Sequence, residues 1–307
     1  MAAHDEDQHP RSPSGISTPT RPRMSTTTPP SPSEKFDVIE TNEAFEEIDG
    51  IFQFTATLVV YQRGDDMYHA ASKVRYSAAS EILGEDLHDN LLIPVSAYCP
   101  PWRPEFTLAP DPRPLNSHIK TPRLISFDRL YRSEQPNYIA DSILNEVEVC
   151  EVLRQNPHRN VARYLGCRES HGRIIGVCFV KYSTTLMEAV NPGNYMKRQL
   201  RSVRGKGEEE DYNHLLRGVE DGIRHLHKLG FVHNDINPSN IMLCNDTAVI
   251  IDFGSCRRLG ASLDGVGRTY EWYDEKAEFA APQNDLNALD EIRAWLGDES
   301  KVFQFDE

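Results

Sequence analysis

The chain has 307 residues, 26% of them charged, a formal net charge of −14 and six cysteines. That acidity argues against a general nucleic-acid binder, which needs a basic surface, and no run approaches the roughly 18 consecutive apolar residues of a membrane span. The N-terminus is acidic and polar rather than basic then apolar, and Cys99, Cys150, Cys167, Cys178, Cys244 and Cys256 form no C-x-x-C pair. The expectation is therefore an intracellular protein, cytoplasmic or nuclear, with reduced and mostly buried thiols.

Residues 1–35 are rich in Ser, Thr and Pro with almost no apolar anchors, and they are predicted to be a disordered tail, since they bury too little surface to offset ordering entropy. Its Ser-Pro and Thr-Pro pairs at Ser12, Thr18, Thr28 and Ser31 are candidates for proline-directed phosphorylation, against the plainer reading of an inert tail. Composition turns globular at Phe36. Residues 36–117 are a divergent N-terminal region, either part of the domain C-terminal to it or appended to that domain. Within it, Ile51–Tyr61 has the β-branched and aromatic content of a strand. Residues 77–93 are predicted helical, ending in Leu91-Leu92-Ile93, and Pro94 to Pro114 is too proline-dense for regular structure throughout.

Ile139, Ile143, Val147, Cys150 and Leu153 recur on one face and predict a helix over 137–154, stopped by Pro157. Arg173–Tyr182 reads as a buried strand. Residues 197–207 carry five basic residues, followed by Glu208–Asp211, and are predicted to be a solvated insertion. A second helix covers Tyr212–Leu229, with Leu215, Leu216, Val219, Ile223 and Leu226 on one face and Gly230 as its stop. Ile241–Leu243 and Ala248–Ile251 flank the Asn245-Asp246 turn as a hairpin, and Asp285–Leu296 is predicted to be a further helix.

The hairpin brings chemistry together. Asn240 stands at the start of its first strand and Asp252 just past the end of its second, so the open end presents two oxygen-bearing side chains to one site. Magnesium takes hard oxygen ligands and keeps several waters, so a carboxylate, an amide and substrate phosphates suffice. Asp235, five residues before Asn240, is a carboxylate able to orient a hydroxyl and accept its proton.

His233, Asp235 and Asn240 fit the pattern H-x-D-x-x-x-x-N, and Asp252, Phe253 and Gly254 the pattern D-F-G. Both in this order, separated by strand, turn and strand, resemble the protein-kinase family. Leu144-Asn-Glu-Val-Glu-Val149 and Pro157–Cys167 resemble that family's helix C and the segment after it. The resemblance implies an α+β, two-lobed protein-kinase-like fold over residues 118–300, with a divergent small lobe, a shortened helical large lobe, and ATP and Mg2+ as cofactors. It implies that Asn240 and Asp252 hold the metal and that Lys120, paired with Glu146, aligns the phosphates; Lys73, Glu148 and Glu151 are lesser candidates. Val180 and Tyr182, at the end of a strand and the start of the hinge, would contact the nucleotide. Asn237 stands in the catalytic loop where Ser/Thr kinases carry a lysine, and Asn234 where many carry an arginine that pairs with a phosphorylated activation segment. His233, Phe253 and Cys150 would form a buried stack, and Asp285 would hold the catalytic loop's backbone. No G-x-G-x-x-G occurs, which is the largest departure from the family pattern.

Three readings stay open on this basis. The first is an ATP- and Mg2+-dependent phosphotransferase acting on a hydroxyl acceptor, foremost protein Ser/Thr. The second is a pseudokinase scaffold. The third is a small-molecule kinase of the aminoglycoside or choline kinase type, which the string from His233 to Asn240 also resembles. No nucleic-acid or membrane partner is expected, and the sequence leaves the oligomeric state undetermined.

Overall fold

The first half of the chain folds as two separate sheets. In a computed structural model describing residues 27–31, 34–133, 135–203, 212–297 and 301–305, strands β1 (Asp37–Ile48), β2 (Ile51–Arg63), β3 (Asp66–Ser72) and β4 (His88–Ile93) form an antiparallel meander. Asp49 and Gly50, with φ of 54° and 79°, close the first hairpin in a two-residue turn whose twist matches its strands. Alternation along β2 sends Val59 and Tyr61 into a small core with Tyr68, Ile82 and Leu87. Val60 faces the other way and packs with Ile93, Leu124, Phe127 and Ile139. The meander is thus buried on both faces at its centre, and its second face seats it on the rest of the molecule.

The helix expected over 77–93 is not formed. Two single 3-10 turns, Ala79–Glu81 and Gly84–Asp86, lead instead into β4, which pairs with β3 through His69↔Leu91, Tyr68↔Leu92 and Met67↔Ile93. An open sheet edge beside an apolar run outweighed local helix preference. Gly84 also lies under Pro30, where a Cβ would come 2.5 Å from the Pro30 carbonyl oxygen. Of the segment read as a tail, residues 1–26, 32 and 33, with Ser12 and Thr18, lie outside the described residues; Pro30 is buried and Thr27 N donates to Asn90 O.

After the one-turn helix α1 (Val95–Tyr98), the proline-dense segment runs extended along the second sheet. Trp102 N donates to Gly172 O, Ala109 N to Cys167 O and Cys167 N to Thr107 O. That sheet contains β5 (Ser117–Lys120), β6 (Tyr164–Ser170) and β7 (Arg173–Val180) in the order β5-β7-β6, with Lys120 opposite Val177. Between β5 and β6 lie α2 (Phe127–Arg132) and α3 (Tyr138–Gln155), and α3 turns Val147, Cys150 and Leu153 into the main core. This is the helix that the apolar stripe predicted.

In the second half most of the regular structure is helix. It contains β8 (Thr184–Thr185), α4 (Leu186–Val190), α5 (Lys197–Val203), α6 (Asn213–Lys228), β9 (Phe231–Val232), β10 (Ile241–Cys244), β11 (Thr247–Ile250), β12 (Arg257–Arg258) and α7 (Pro282–Trp295). β10 and β11 form the expected hairpin, with Ile241↔Ile250 and Cys244↔Thr247. Leu215, Leu216, Val219, Ile223 and Leu226 of α6 are buried. Gly222 lets α6 approach so closely that a Cβ there would lie 2.8 Å from Asn160 O. The solvated insertion expected at 197–207 is corrected at its start: Lys197 is buried, ion-paired with Glu291 and set over the rings of Trp272 and Phe303. Residues 204–211 of that stretch lie outside the described residues. Among the described residues no helix is long and apolar enough to cross a membrane.

Candidate active site

Helix α6 delivers the chain to the loop between β9 and β10, and one buried carboxylate fixes that loop. Asp285, in the first turn of α7, accepts hydrogen bonds from His233 N (2.9 Å) and Asn234 N (2.7 Å), and its Oδ2 lies 2.8 Å from His227 Nε2. The His233 ring lies 3.0 Å from Ile251 O through Nε2 and packs edge-on against Phe253, with centroids 5.7 Å apart. Cys150 is fully buried in the same core as Phe253.

On this frame Asp235 collects donors from three directions. Asn240 Nδ2 donates to its Oδ2 (2.8 Å), Thr269 N to its Oδ1 (2.8 Å), and Asn237 Nδ2 to its Oδ1 (3.2 Å). Burial pushes the Asp235 carboxyl above its ordinary range, opposed by the Thr269 N–H and by His233. Asn237 also donates to Thr269 Oγ1 at 3.1 Å.

Across the hairpin, Ile251 N donates to Asn240 O (3.0 Å), which draws Asp252 up to the loop. Asp252 adopts φ = 63°, a left-handed conformation uncommon for a residue with a side chain. Its Oδ1 accepts from Lys120 Nζ (2.8 Å) and from Gly254 N (3.2 Å). Burial would raise the Asp252 carboxyl, but the Lys120 ammonium outweighs it and the net shift is downward. Lys120 Nζ also meets both oxygens of Glu146, at 2.9 and 2.8 Å, and Glu146 Oε1 accepts from Phe253 N at 3.2 Å. Burial disfavours the charge on both partners: it drives the Glu146 carboxyl up against the pull of Lys120, whereas for Lys120 the two carboxylates prevail and its pKa is raised. With two short contacts between them, the charged pair is the form this geometry supports.

The donor set suits a hard cation. Asn240 bonds Asp235 through its amide nitrogen and not through Oδ1, and Lys120 bonds Asp252 through Oδ1 and not Oδ2. This is a two-ligand set rather than a cage: among the described residues no three His, Cys, Asp or Glu side chains converge to hold an ion. Beside it opens a cleft of about 340 Å3 lined by His118, Lys120, Val180, Tyr182, Met242 and Asp252, among others. Lys120, Glu146, Val180, Tyr182, Asp235, Asn237, Asn240 and Asp252 therefore all lie in or against one region. The rival residues lie elsewhere. Lys73 is exposed after β3, Glu148 pairs with Arg103 (2.9 Å), and Glu151 accepts from Thr107 N and Oγ1 and from Tyr164 OH. Burial pushes the Cys256 thiol up, the condition of an unreactive cysteine.

Sequence reasoning missed Thr269, whose backbone and hydroxyl complete the surroundings of Asp235 and Asn237 from 34 residues downstream of Asp235. It also missed the cleft walls His118 and Met242. For His118 a signal existed: side chains two apart on a strand share a face, and it precedes Lys120 by two. Thr269 lies in a segment without periodicity and had none.

Two sheets, a helical second half and a cleft with an ion-paired lysine above a hairpin of loop and metal-type ligands define the two-lobed protein-kinase fold. The sequence matches the protein kinase domain family over residues 117–283, more than half of the chain. The chain belongs to that family. It is 34% identical over 116 residues to mitogen-activated protein kinase kinase kinase nsy-1 of Caenorhabditis elegans, covering 37% of this chain and 7% of that protein. It is 33% identical over 123 residues to serine/threonine-protein kinase H1 of Homo sapiens, covering 37% and 26%. It is 30% identical over 122 residues to serine/threonine-protein kinase/endoribonuclease ireA of Aspergillus fumigatus, covering 36% and 10%. The match thus spans about a quarter or less of each of these relatives.

Proposed function

We propose that the chain is an ATP- and Mg2+-dependent phosphotransferase that moves the γ-phosphoryl group to a hydroxyl, foremost a protein serine or threonine. The observation that carries this reading is the Asp235 carboxylate, held by Asn240, Asn237 and Thr269 beside the Asp252–Lys120–Glu146 chain. A scaffold has no physical need for so many polar groups converging on one cleft.

In this reading Lys120 neutralises and positions the α- and β-phosphates, and Glu146 keeps its ammonium in place. Asp252 and Asn240 would hold Mg2+, which when bound supplies charge neutralisation at the phosphate oxygens. Asp235 orients the acceptor hydroxyl through one oxygen and takes its proton as that oxygen bonds to the γ-phosphorus and the β,γ-bridging oxygen departs with ADP. Asn237 brings no charge to the transferred group, so its contribution is geometric, exerted through Asp235 and Thr269. Val180 and Tyr182 line the nucleotide end of the cleft. The serine/threonine kinases among the relatives support a protein acceptor, and the reduced, mostly buried cysteines support an intracellular setting. We assign residues 118–300 to the kinase-like domain and 36–117 to an element joined to its small lobe: among the described residues the β1–β4 meander shares no strand pairing with β5, β6 or β7, whereas Pro101 and Leu108 bridge to Arg173 and Cys167.

A nucleotide-binding scaffold is the second reading. What favours it is that, among the described residues, β5 pairs only with β7 and carries no hairpin roof on its other edge. Transfer of labelled γ-phosphate from ATP to a Ser/Thr peptide mixture, with small alcohols in parallel, separates the readings. The wild type labels peptides, and Asp235→Asn lowers the rate by about 10²-fold or more. Labelling of alcohols alone would point to a small-molecule kinase, and none at all to the scaffold.

A further inference from the structure

Behind the nucleotide cleft lies a second cavity, of about 480 Å3, which the phosphotransfer chemistry does not use. It sits between the last turn of α3 and the start of β6. Its floor is apolar, formed by the buried residues Leu153, Val161, Ala162 and Tyr164, and its rim is cationic, formed by Arg154, His158 and Arg163. Residues 152–168 hold four arginines and a histidine and no Asp or Glu, in a chain whose net charge is −14.

Neighbouring carboxylates leave much of this charge open. Glu151 lies 3.7 Å from Arg154, but its oxygens already accept from Thr107 and Tyr164. Among the described residues neither Arg163 nor His158 is ion-paired. Burial lowers the His158 pKa below the ordinary 6.5. His225 of α6, whose ring stacks on it with centroids 4.7 Å apart, acts in the same direction, as do Arg159 and Lys228, while Asp221 opposes them. Four of the five groups around that imidazole are therefore basic.

The cavity shares a wall with the nucleotide cleft. Ala162 lines both. Val180 N donates to Arg163 O (3.0 Å), and Arg163 N donates to Tyr182 OH (3.2 Å). The two residues at the nucleotide end of the cleft thus hold the main chain of the rim arginine.

We propose that this cavity is a regulatory site for a small organic anion, a carboxylate or phosphate on an apolar body, coupled to the nucleotide cleft through Ala162 and the Val180–Arg163–Tyr182 bonds. Arginine forks suit both oxyanions, the floor takes the apolar body, and the volume falls within the roughly 300–1,000 Å3 of small-molecule sites. Filling the cavity orders the shared wall beforehand, so ATP then binds without that ordering cost. The coupling rests on the nucleotide-binding part of the proposed function; the site itself does not.

The test is calorimetric titration of naphthoate into the full-length chain, with naphthamide and acetate as probes that lack the charge and the apolar body. Naphthoate binds, and each control binds at least about tenfold more weakly. Arg154→Gln and Arg163→Gln, both at exposed positions, each weaken naphthoate about tenfold. Binding tightens as the pH falls from 7.5 to 6, because the anion draws a proton onto His158, and His158→Gln removes that slope. Saturating naphthoate tightens ATP about fivefold in the wild type and not in Arg163→Gln.

No binding of naphthoate, or acetate or naphthamide binding as well as naphthoate does, overturns the site. So does full displacement of naphthoate by ATP with no loss of affinity in Arg163→Gln, which would put the probe in the nucleotide cleft. ATP affinity unchanged or weakened by naphthoate overturns the coupling. Naphthoate binding that Arg163→Gln weakens, with no ATP binding to either form, upholds the site and overturns the phosphotransferase reading instead.

Discussion

Lys120 Nζ lies 2.9 and 2.8 Å from the two carboxylate oxygens of Glu146, joining the last residue of β5 to the middle of α3. The contact couples the register of the small sheet to the position of the helix. Phe253 N adds a third bond to Glu146, so the D-F-G segment is tied to the same carboxylate. Glu146→Gln keeps the volume and removes the charge. Lys120 is 35% exposed and retains Asp252, which limits the cost in stability to about 1–2 kcal/mol. The larger effect falls on phosphate alignment, with kcat/KM for ATP lowered by about 10²-fold. Steady-state kinetics and urea unfolding check both, and a kcat/KM within about twofold of wild type contradicts the assignment.

Thr269 offers a narrower test. Thr269→Val deletes the hydroxyl that accepts from Asn237 and keeps the N–H that donates to Asp235. Loss of one hydrogen bond predicts a fall in kcat of about fivefold, with ATP binding unchanged. A change in ATP affinity instead of rate would place Thr269 on the nucleotide side of the site.

Gly222 tests how α6 positions the loop. Alanine favours helices, by about 1 kcal/mol over glycine. Here its Cβ would meet Asn160 O at 2.8 Å and Ile250 Cδ1 at 2.9 Å, and the backbone oxygen cannot swing away. Gly222→Ala is therefore expected to destabilise the fold by about 1–2 kcal/mol net. Chemical denaturation measures it, and a gain in stability would contradict the close approach of α6 to Asn160.

His69 bears on how the N-terminal meander is held. Its ring is buried, with Nε2 3.0 Å from Ile125 O and 3.6 Å from Asp128. Burial lowers its pKa below the ordinary 6.5 despite Asp128, with Arg132 assisting and Glu40 opposing. The unfolded chain then takes up the proton first, so stability is full above about pH 6.5 and is lost as the pH falls. His69→Gln keeps a donor for Ile125 O and removes the titration. Between pH 7.5 and 5.5 the wild-type Tm should fall about 2–4 °C further than that of the variant. Parallel pH profiles would show that His69 does not contribute.

Local pattern carried much of the fold. Helices α3 and α6 were legible because their apolar residues recur on one face and stay buried in the molecule. The loop and hairpin chemistry was legible because Asp235, Asn240 and Asp252 lie within one short stretch whose strand, turn and strand leave little freedom. What escaped depends on distant partners. β4 became a strand only because β3 offers an edge, Lys197 is buried only because Glu291 waits 94 residues away, and Thr269 reaches Asp235 along an aperiodic path. Asn234 was legible as a substitution, but its partners Ser255 and Asn284 follow from the tertiary structure alone.

Whether Asp252 and Asn240 form a metal-dependent nucleotide site is decided by calorimetric titration of ATP into wild type and Asp252→Asn, each with and without Mg2+. Mg2+ is expected to tighten ATP binding to the wild type, and Asp252→Asn to abolish this gain. Equal ATP affinity in all four titrations, or no binding in any, would contradict the assignment of these two residues as metal ligands.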